Sequence, residues 1–460
     1  MPTNSETSLK TIVDFCRRKG FVFPSSEIYG GFSATYDLGP LGTILKQNLL
    51  QAWRDWMINY RTDTVEIEGA IFMHPKVWTA SGHVNSFSDP LCEDLVTHKR
   101  YRADHLVEEA EITDNAGGMS IEELNKIITE NNLKSPEGNP LSEAKVFNLL
   151  VKTHLGPVED ASTLVYLKGE SCQNIYLNWK AVQETSRRKL PFGIGQLGKA
   201  FRNEITVKQF MFRTREFEQI DMQYFVKPGT ENEWFDYWKK YRYSFYTEFL
   251  KFNSENLKWH QHNQNELVFY ATEAWDIYYN FGALGYKEME GVHNRTDYDT
   301  KQHQEFSGTN LTYFDVEANE RYLPYIVEMS LGFNRMFLAS LFEFYNEEKL
   351  ENETRIVMKF PVKLAPYKYA ILPLMKKDGM SEKATEIYTN LRKAGISTDY
   401  DESGSIGKRY RRQDENGTPL CVCIDYDTLT DNTVTIRNRD TMTQERVAIS
   451  ELETYYLTLS

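Results

Sequence analysis

A chain of 460 residues with 41% hydrophobic, 13% aromatic and 26% charged residues has a globular composition and is too long for a single core. Its net charge of −13 excludes a uniformly basic nucleic-acid-coating surface, yet residues 355–460 hold 16 Lys+Arg and 15 Asp+Glu, leaving 37 and 51 to residues 1–354. No apolar run nears the ~20 residues of a membrane span, MPTNSETSLKTIVDFCRRKG has no signal-peptide order, and Cys16, Cys92, Cys172, Cys421 and Cys423 form no disulfide framework, so a cytoplasmic setting is expected.

Residues 8–19 predict a short helix closed by Gly20. Residues 41–57 set Leu41, Leu45, Leu49, Trp53 and Trp56 three or four apart, the stripe of an amphipathic helix. A strand is expected over 65–73, ending at Pro75. Residues 104–165, acidic and rich in Asn, Glu and Gly, read as an insertion with helical periodicity at 120–128 and 142–151. Two strands, 197–204 and 213–226, flank a loop at 205–212, and an aromatic-rich helix covers 232–252. Strands recur near 266–272, 284–290 and 321–330, followed by a helix over 332–346. Beyond a polar linker at 347–354, residues 355–460 alternate strand, helix, strand, loop, strand, strand and helix, a small mixed α/β domain. The expected division is 1–103 with 166–350, an insertion at 104–165, and 355–460.

The segment 201–225, FRNEITVKQFMFRTREFEQIDMQYF, carries the strongest chemical signal. Alternation along strands puts Arg202 and Glu204 on one face, and Arg213, Arg215, Phe217, Gln219 and Asp221 on one face of the next strand. The opposite face, Ile220, Met222 and Tyr224, suits a core. Planar, permanently charged arginines fit phosphate, and an aromatic ring offers a stacking surface for a purine. Farther on, Glu328 and Ser330 share a strand face, with Arg335 in the following helix. LGYKEMEGVHNRTDYD adds Glu288, Glu290, Arg295, Asp297 and Asp299. By itself the 201–225 segment also fits a charged hairpin with cross-strand ion pairs. Arginines together with scattered carboxylates are, however, what a phosphate-and-magnesium site would need, because magnesium takes oxygen ligands from a few acids plus the phosphates. Cys421 and Cys423 alternate with Val422 and read as core.

FRNE followed by FRTREFEQ resembles motif 2 of the class II aminoacyl-tRNA synthetases, and SLGFNR resembles motif 3. The helix and strand of 41–75 are similar to motif 1. Within that class, GFVFPSSEIYGG, YDLGPLG, PKVWTASGHV, YRADHL, LPFGIGQLGKAFRNEIT, NRTDYD and SIGKRYRRQDENGTP resemble the dimeric glycyl-tRNA synthetases over nearly the whole chain. No additional N-terminal RNA-binding helix pair is evident, a pattern similar to bacterial forms. The resemblance implies a mixed α+β and α/β architecture: an antiparallel-sheet catalytic domain with flanking helices, then a mixed α/β anticodon-binding domain. It implies an ATP-dependent ligase, with Mg2+ accompanying ATP, that forms glycyl-adenylate and passes glycine to the 3′ end of tRNA(Gly), as a homodimer built on motif 1.

The same resemblance distributes roles. Arg202, Glu204 and Arg335 form the catalytic set: Arg202 on the α-phosphate, Glu204 on the adenine amino group or the acceptor end, Arg335 on the γ-phosphate. Phe217 stacks on adenine and Glu288 helps hold the metal, with Asn203, Phe212, Arg213, Arg215, Met289, Glu328 and Ser330 completing the ATP site. Arg102, Glu170, Phe217, Gln219, Asp221, Glu328 and Ser330 surround glycine, which is selected by leaving no room for a methyl group. Lys408, Arg409, Arg411 and Arg412, in a loop at 404–412, contact tRNA. The chain departs from the family at 168–171 (KGES for Arg-Pro-Glu-Thr), at Met329 for proline, at Asp221 for glutamate and in ENGTP. Asp94 and Thr97 stand where some relatives carry Cys-x-x-Cys, so no structural zinc is expected. Two other readings are a non-catalytic relative, such as the accessory subunit of the mitochondrial DNA polymerase, and a class II enzyme for serine, proline or threonine. The first has no reason to keep Arg202, Glu204, Phe217, Glu328 and Arg335 together, and the second needs a side-chain pocket.

Overall fold

The computed structural model describes residues 7–113, 116–205, 209–264, 267, 268, 270–351 and 353–459. A seven-stranded sheet forms its centre, in the order Leu257–Gln261, Glu273–Asn280, Tyr286–Thr296, Tyr325–Gly332, Glu216–Val226, Phe192–Phe201 and Thr64–Ile67. All neighbours pair antiparallel except the last two, which are parallel. On one face, Ile220, Met222 and Tyr224 meet Leu45, Leu49 and Trp53 of the helix Pro40–Arg54 and Phe337 and Leu341 of the helix Phe333–Phe344 in one core. This is the alternation expected of a strand covered by helices. The other face of the Glu216–Val226 strand starts with Phe225, packed on Trp179 of the helix Cys172–Ser186, and then turns polar through Gln223, Asp221 and Gln219. That change from apolar to polar along one strand face locates the site.

The first helix, Leu9–Lys19, has Ser8 accepting from the Thr11 amide and Gly20 in the left-handed conformation at φ 76°, with Arg17, Arg18 and Lys19 in its last turn. The helix Pro40–Arg54 runs on into a π turn, Asp55–Asn59. Gly42 is required by close approach, since a Cβ there would lie 1.9 Å from the Phe21 carbonyl oxygen.

Several expectations are corrected. The strand at 65–73 is two strands: Thr64–Ile67 in the central sheet, and Phe72–Met73 paired with Leu164–Leu167 in another. Pro75 opens the helix Pro75–Ala80. The strand near 266–272 is replaced by Leu257–Gln261 and Glu273–Asn280 on either side of it, and residues 265, 266 and 269 lie outside the described residues, as do 206–208 of the loop at 205–212. In the insertion, Ile121–Glu130 is a helix closed by a Ser120–Glu123 capping box, but the helical spacing at 142–151 gives way to the strand Lys145–Asn148, paired with Ser88–Glu93. Its small core joins Leu106, Leu124 and Ile128 to Cys92 and Ala103. Asp94 holds the neighbouring turn, accepting from the amides of Val96 (2.9 Å) and Thr97 (2.8 Å), from Ser135 Oγ (2.6 Å) and from Asn139 Nδ2 (3.0 Å).

The stretch expected as a linker is a hairpin, Tyr345–Lys349 against Thr354–Met358. The C-terminal domain's own sheet runs Thr398–Tyr400, Tyr369–Pro373, Leu420–Ile424, Thr433–Asn438 and Gln444–Ala448. Its strand Tyr369–Pro373 is buried throughout, so no alternation betrays it. The expected loop at 404–412 is mostly the helix Ile406–Asn416. Arg355 fixes the hairpin to this helix, donating to Asp414 Oδ2 (2.8 Å), to Glu348 Oε2 (2.7 Å) and to the Arg439 carbonyl (2.5 Å).

Between the helix Glu231–Ser244 and the central sheet, Arg242 is fully buried and donates to both oxygens of Glu290, at 2.5 and 2.9 Å. Removing one partner of such a pair strands a buried charge. Arg242→Met is therefore expected to destabilise the protein by ~3–5 kcal/mol, and Arg242→Met with Glu290→Leu to recover most of that loss, as measured by urea unfolding.

Candidate active site

Arg202, Phe212, Phe217, Glu288, Ser330 and Arg335 line one cleft at the polar end of the central sheet, together with Glu204, Arg213 and Gln219. The strand Phe192–Phe201 stops before Arg202, so Arg202 and Glu204 enter the cleft from an irregular stretch rather than from a shared strand face. Arg202 donates from Nε to the Gly169 carbonyl at 3.2 Å, and its guanidinium lies 5.2 Å from the centre of the Phe217 ring and 4.9 Å from that of Phe87. At the opposite end, Arg335 sits 4.5 Å over Phe212 and pairs with Glu288 at 3.1 Å. Two guanidiniums backed by aromatic rings thus face one cleft, an arrangement suited to a polyanion. Glu288 and Glu290 part company at a register slip: Glu288 faces Tyr278, Glu290 faces Ile277, and Glu290 is taken by Arg242.

Four expected residues sit elsewhere. The Asn203 side chain is exposed while its amide donates to the Leu149 carbonyl. Met289 is packed in the main core, and Arg215 is occupied by the Glu204 carbonyl at 2.9 Å. Arg102 is clamped between Asp89 (2.9 Å) and Asp104 (2.5 Å). In the C-terminal helix, Arg409 turns inward, donating to the Pro373 carbonyl at 2.6 Å, because its long stem lies on the side that packs against the sheet. Arg411 pairs with Glu353 and Asp414 and Arg412 with Asp401, while Lys408 is exposed.

Deeper in, three carboxylates meet. Glu170 accepts from His83 Nε2 (3.2 Å), Gln173 Nε2 (2.9 Å) and Cys172 Sγ (3.1 Å). Glu328 accepts from Arg295 Nη1 at 3.0 Å on both oxygens, from His293 Nδ1 (3.0 Å) and from Gln223 Nε2 (2.8 Å). Asp221 is fully buried; Gln219 Nε2 lies 3.4 Å from its Oδ1, and its Oδ2 has no hydrogen-bond partner among the described residues. Gln219 Nε2 also donates to Ser330 Oγ at 2.9 Å. Burial opposes the charge on Glu328, but Arg295 and His293 outweigh it and bring its pKa down to about 2. Asp221 moves the other way, pushed well above the usual carboxylate range by burial and by the neighbouring Glu328. Of the residues that shape this pocket, Arg295 stands out in the sequence beside Asp297 and Asp299, whereas His83, Gln173 and His293 do not. A lone histidine or glutamine has no pattern that sets it apart from an ordinary surface or core position.

Burial also works against the charged form of His293, but Asp276 and Glu328 prevail and raise it to about 9. A folded pKa above the unfolded value near ~6.5 contributes stability that is fully present below ~6.5 and lost as pH rises through about 9. The stability difference between the unsubstituted protein and His293→Gln is therefore expected to shrink by on the order of 1–3 kcal/mol between pH 6.5 and 9.5, read from denaturant melts at each pH.

Residues 157–344 match the tRNA synthetase class II core domain (G, H, P, S and T), and residues 368–459 match the anticodon binding domain. The fold is similar to a prolyl-tRNA synthetase from Cryptosporidium parvum solved with L-proline and AMP, at a TM-score of 0.63 and 14% identity, covering 98% of this chain and 75% of that one. A glycine–tRNA ligase of Treponema denticola is 48% identical over 97% of this chain and 95% of its own length, and one of Clostridium beijerinckii is 49% identical over 98% of both. With a class II sheet, two ring-backed arginines across one cleft and such identity end to end, the chain belongs to the glycine–tRNA ligase family.

Proposed function

We propose that this site joins glycine to ATP and then passes the glycyl group to tRNA(Gly). The observation that carries the reading is the buried, unpartnered Oδ2 of Asp221 in a pocket it shares with Glu170 and Glu328. An ammonium group placed there supplies the missing donor and lets Asp221 ionise. Polar groups close around that point leave no volume for a methyl on Cα, and a displaced ligand would strand an acid at a cost of ~1–3 kcal/mol.

The nucleotide lies across the cleft, with adenine on Phe217, the α-phosphate on Arg202 and the γ-phosphate on Arg335. Glycine's carboxylate attacks the α-phosphorus, so no protein nucleophile is needed; the two guanidiniums orient the phosphates and meet the charge that develops. Magnesium fits the phosphate end, where Glu288 is a half-exposed oxygen donor paired only with a group the phosphates also engage. Glu288 would hold the ion together with the phosphates, and the ion would screen their charge.

On this reading the chain divides into a catalytic unit at 1–103 and 166–350, an insertion at 104–165, and an anticodon-binding unit at 355–460. Lys408 is the exposed cation of its run for tRNA, flanked by Arg411 and Arg412. Ile28, Tyr29 and Phe32, each more than 60% exposed in the segment that precedes the helix Pro40–Arg54 in the chain, suit a twofold contact with a second copy. No helix among the described residues is long and apolar enough to cross a membrane, and all five cysteines are free and buried, in keeping with a cytoplasmic enzyme.

Exchange of pyrophosphate into ATP is expected with glycine and not with alanine or serine; comparable exchange with alanine defeats the glycine assignment. Asp221→Asn is expected to raise the glycine KM at least ~10-fold, and Arg202→Ala to lower kcat by ~100-fold or more. Sedimentation is expected to give a mass near twice 53.8 kDa.

A further inference from the structure

The short segment from His83 to Phe87 touches both halves of the active site. His83 Nδ1 is 2.8 Å from Ser81 Oγ, which turns Nε2 toward Glu170 at 3.2 Å. The imidazole is wedged between Trp78 (centroids 5.1 Å apart, edge-on) and Phe87 (5.2 Å). Phe87 in turn covers one side of the Arg202 guanidinium, while Phe217 stands 5.2 Å away as a second ring contact. The Phe87 amide donates to the His83 carbonyl at 3.1 Å, and the Phe87 carbonyl accepts from the Leu149 amide at 3.0 Å. Asn148 Nδ2 donates to the His83 carbonyl at 3.0 Å, so both ends of the segment are pinned to the same strand region.

Two further contacts close the loop. Arg202 Nε donates to the Gly169 carbonyl, one residue before Glu170. Gly169 is pressed so closely against Leu150 that a Cβ would lie 2.7 Å from its Cδ2. Arg202 and Glu170 are therefore held twice relative to each other, once through the backbone of 169–170 and once through His83 and Phe87. The Nη groups of Arg202 make no hydrogen bond among the described residues, and the rings and the Nε contact fix the direction of the fork.

We propose that His83 and Phe87 are positioning residues that set the spacing between bound amino acid and nucleotide, His83 by orienting Glu170 and Phe87 by orienting Arg202. This rests on assigning Glu170 to the ammonium and Arg202 to the α-phosphate. A bond forms between the glycine carboxylate and the α-phosphorus as the bond to pyrophosphate breaks, so an error of an ångström between the two groups falls directly on the rate.

The test is steady-state pyrophosphate exchange on the full-length protein, with melting temperature followed in parallel. His83→Ala is expected to raise the glycine KM about tenfold with the ATP KM within about twofold, and His83→Gln, which keeps a donor, to recover part of it. Phe87→Leu is expected to lower kcat about tenfold with the glycine KM little changed, whereas Phe87→Tyr, which keeps the ring, stays within about twofold. A purely packing role predicts instead a lower melting temperature and a smaller active fraction, with both KM values unmoved and His83→Ala and Phe87→Leu alike; that result, or wild-type kinetics in both, overturns the proposal. If His83→Ala fails to fold, His83→Asn takes its place under the same criteria. Loss of glycine-dependent exchange in the unsubstituted protein overturns the underlying assignment itself, and so is told apart from failure of the positioning role.

Discussion

Arg295 donates to both oxygens of Glu328 and to Asp299 beside the ring of Tyr270, with only 2% of its surface exposed. Strand register alone brings Glu328 opposite His293 and Asp221 opposite Ser330. Acids buried in this way are driven toward their neutral forms unless a fixed cation stands among them. With Arg295 in place, Glu328 remains ionised while Asp221 is pushed toward neutrality. Two acids on neighbouring strands of one sheet thus take opposite tendencies, because the guanidinium bonds one and not the other.

Much of this was legible in the chain, and the limits have physical causes. The strand Glu216–Val226 has one core face and one polar face, so period-two alternation sorted Ile220, Met222 and Tyr224 from Gln219 and Asp221 correctly. Tyr369–Pro373 has two covered faces and so no alternation to find. The helix Ile406–Asn416 was obscured because its inward face carries Arg409 and Gln413, polar residues that pack through their stems and hydrogen-bond inward. Lys145–Asn148 became a strand because Ser88–Glu93 lay ready to pair, a long-range fact that local periodicity does not contain. At the site, motif spacing placed Arg202, Phe217, Glu328 and Arg335, each on or beside a regular element. It did not distinguish the committed Arg102 from the available Arg202, since that depends on Asp89 and Asp104 lying within reach.

The two ends of the pocket are built on opposite plans. At the deep end Glu170 and Glu328 are each fixed by several hydrogen bonds, while Asp221 has a long contact from Gln219. In the outer cleft the Arg335–Glu288 pair is partly exposed, so its partners can separate with little loss.

The turn at Asp94 illustrates how a small knuckle can be closed by a carboxylate. Two amides, a hydroxyl and a side-chain amide converge on its two oxygens. The weakness of a turn closed in this manner is acid, which removes the acceptor charge on which all four donors converge. The join between the Ser88–Glu93 strand and the turn at 135–139 of the insertion therefore depends on Asp94 staying ionised.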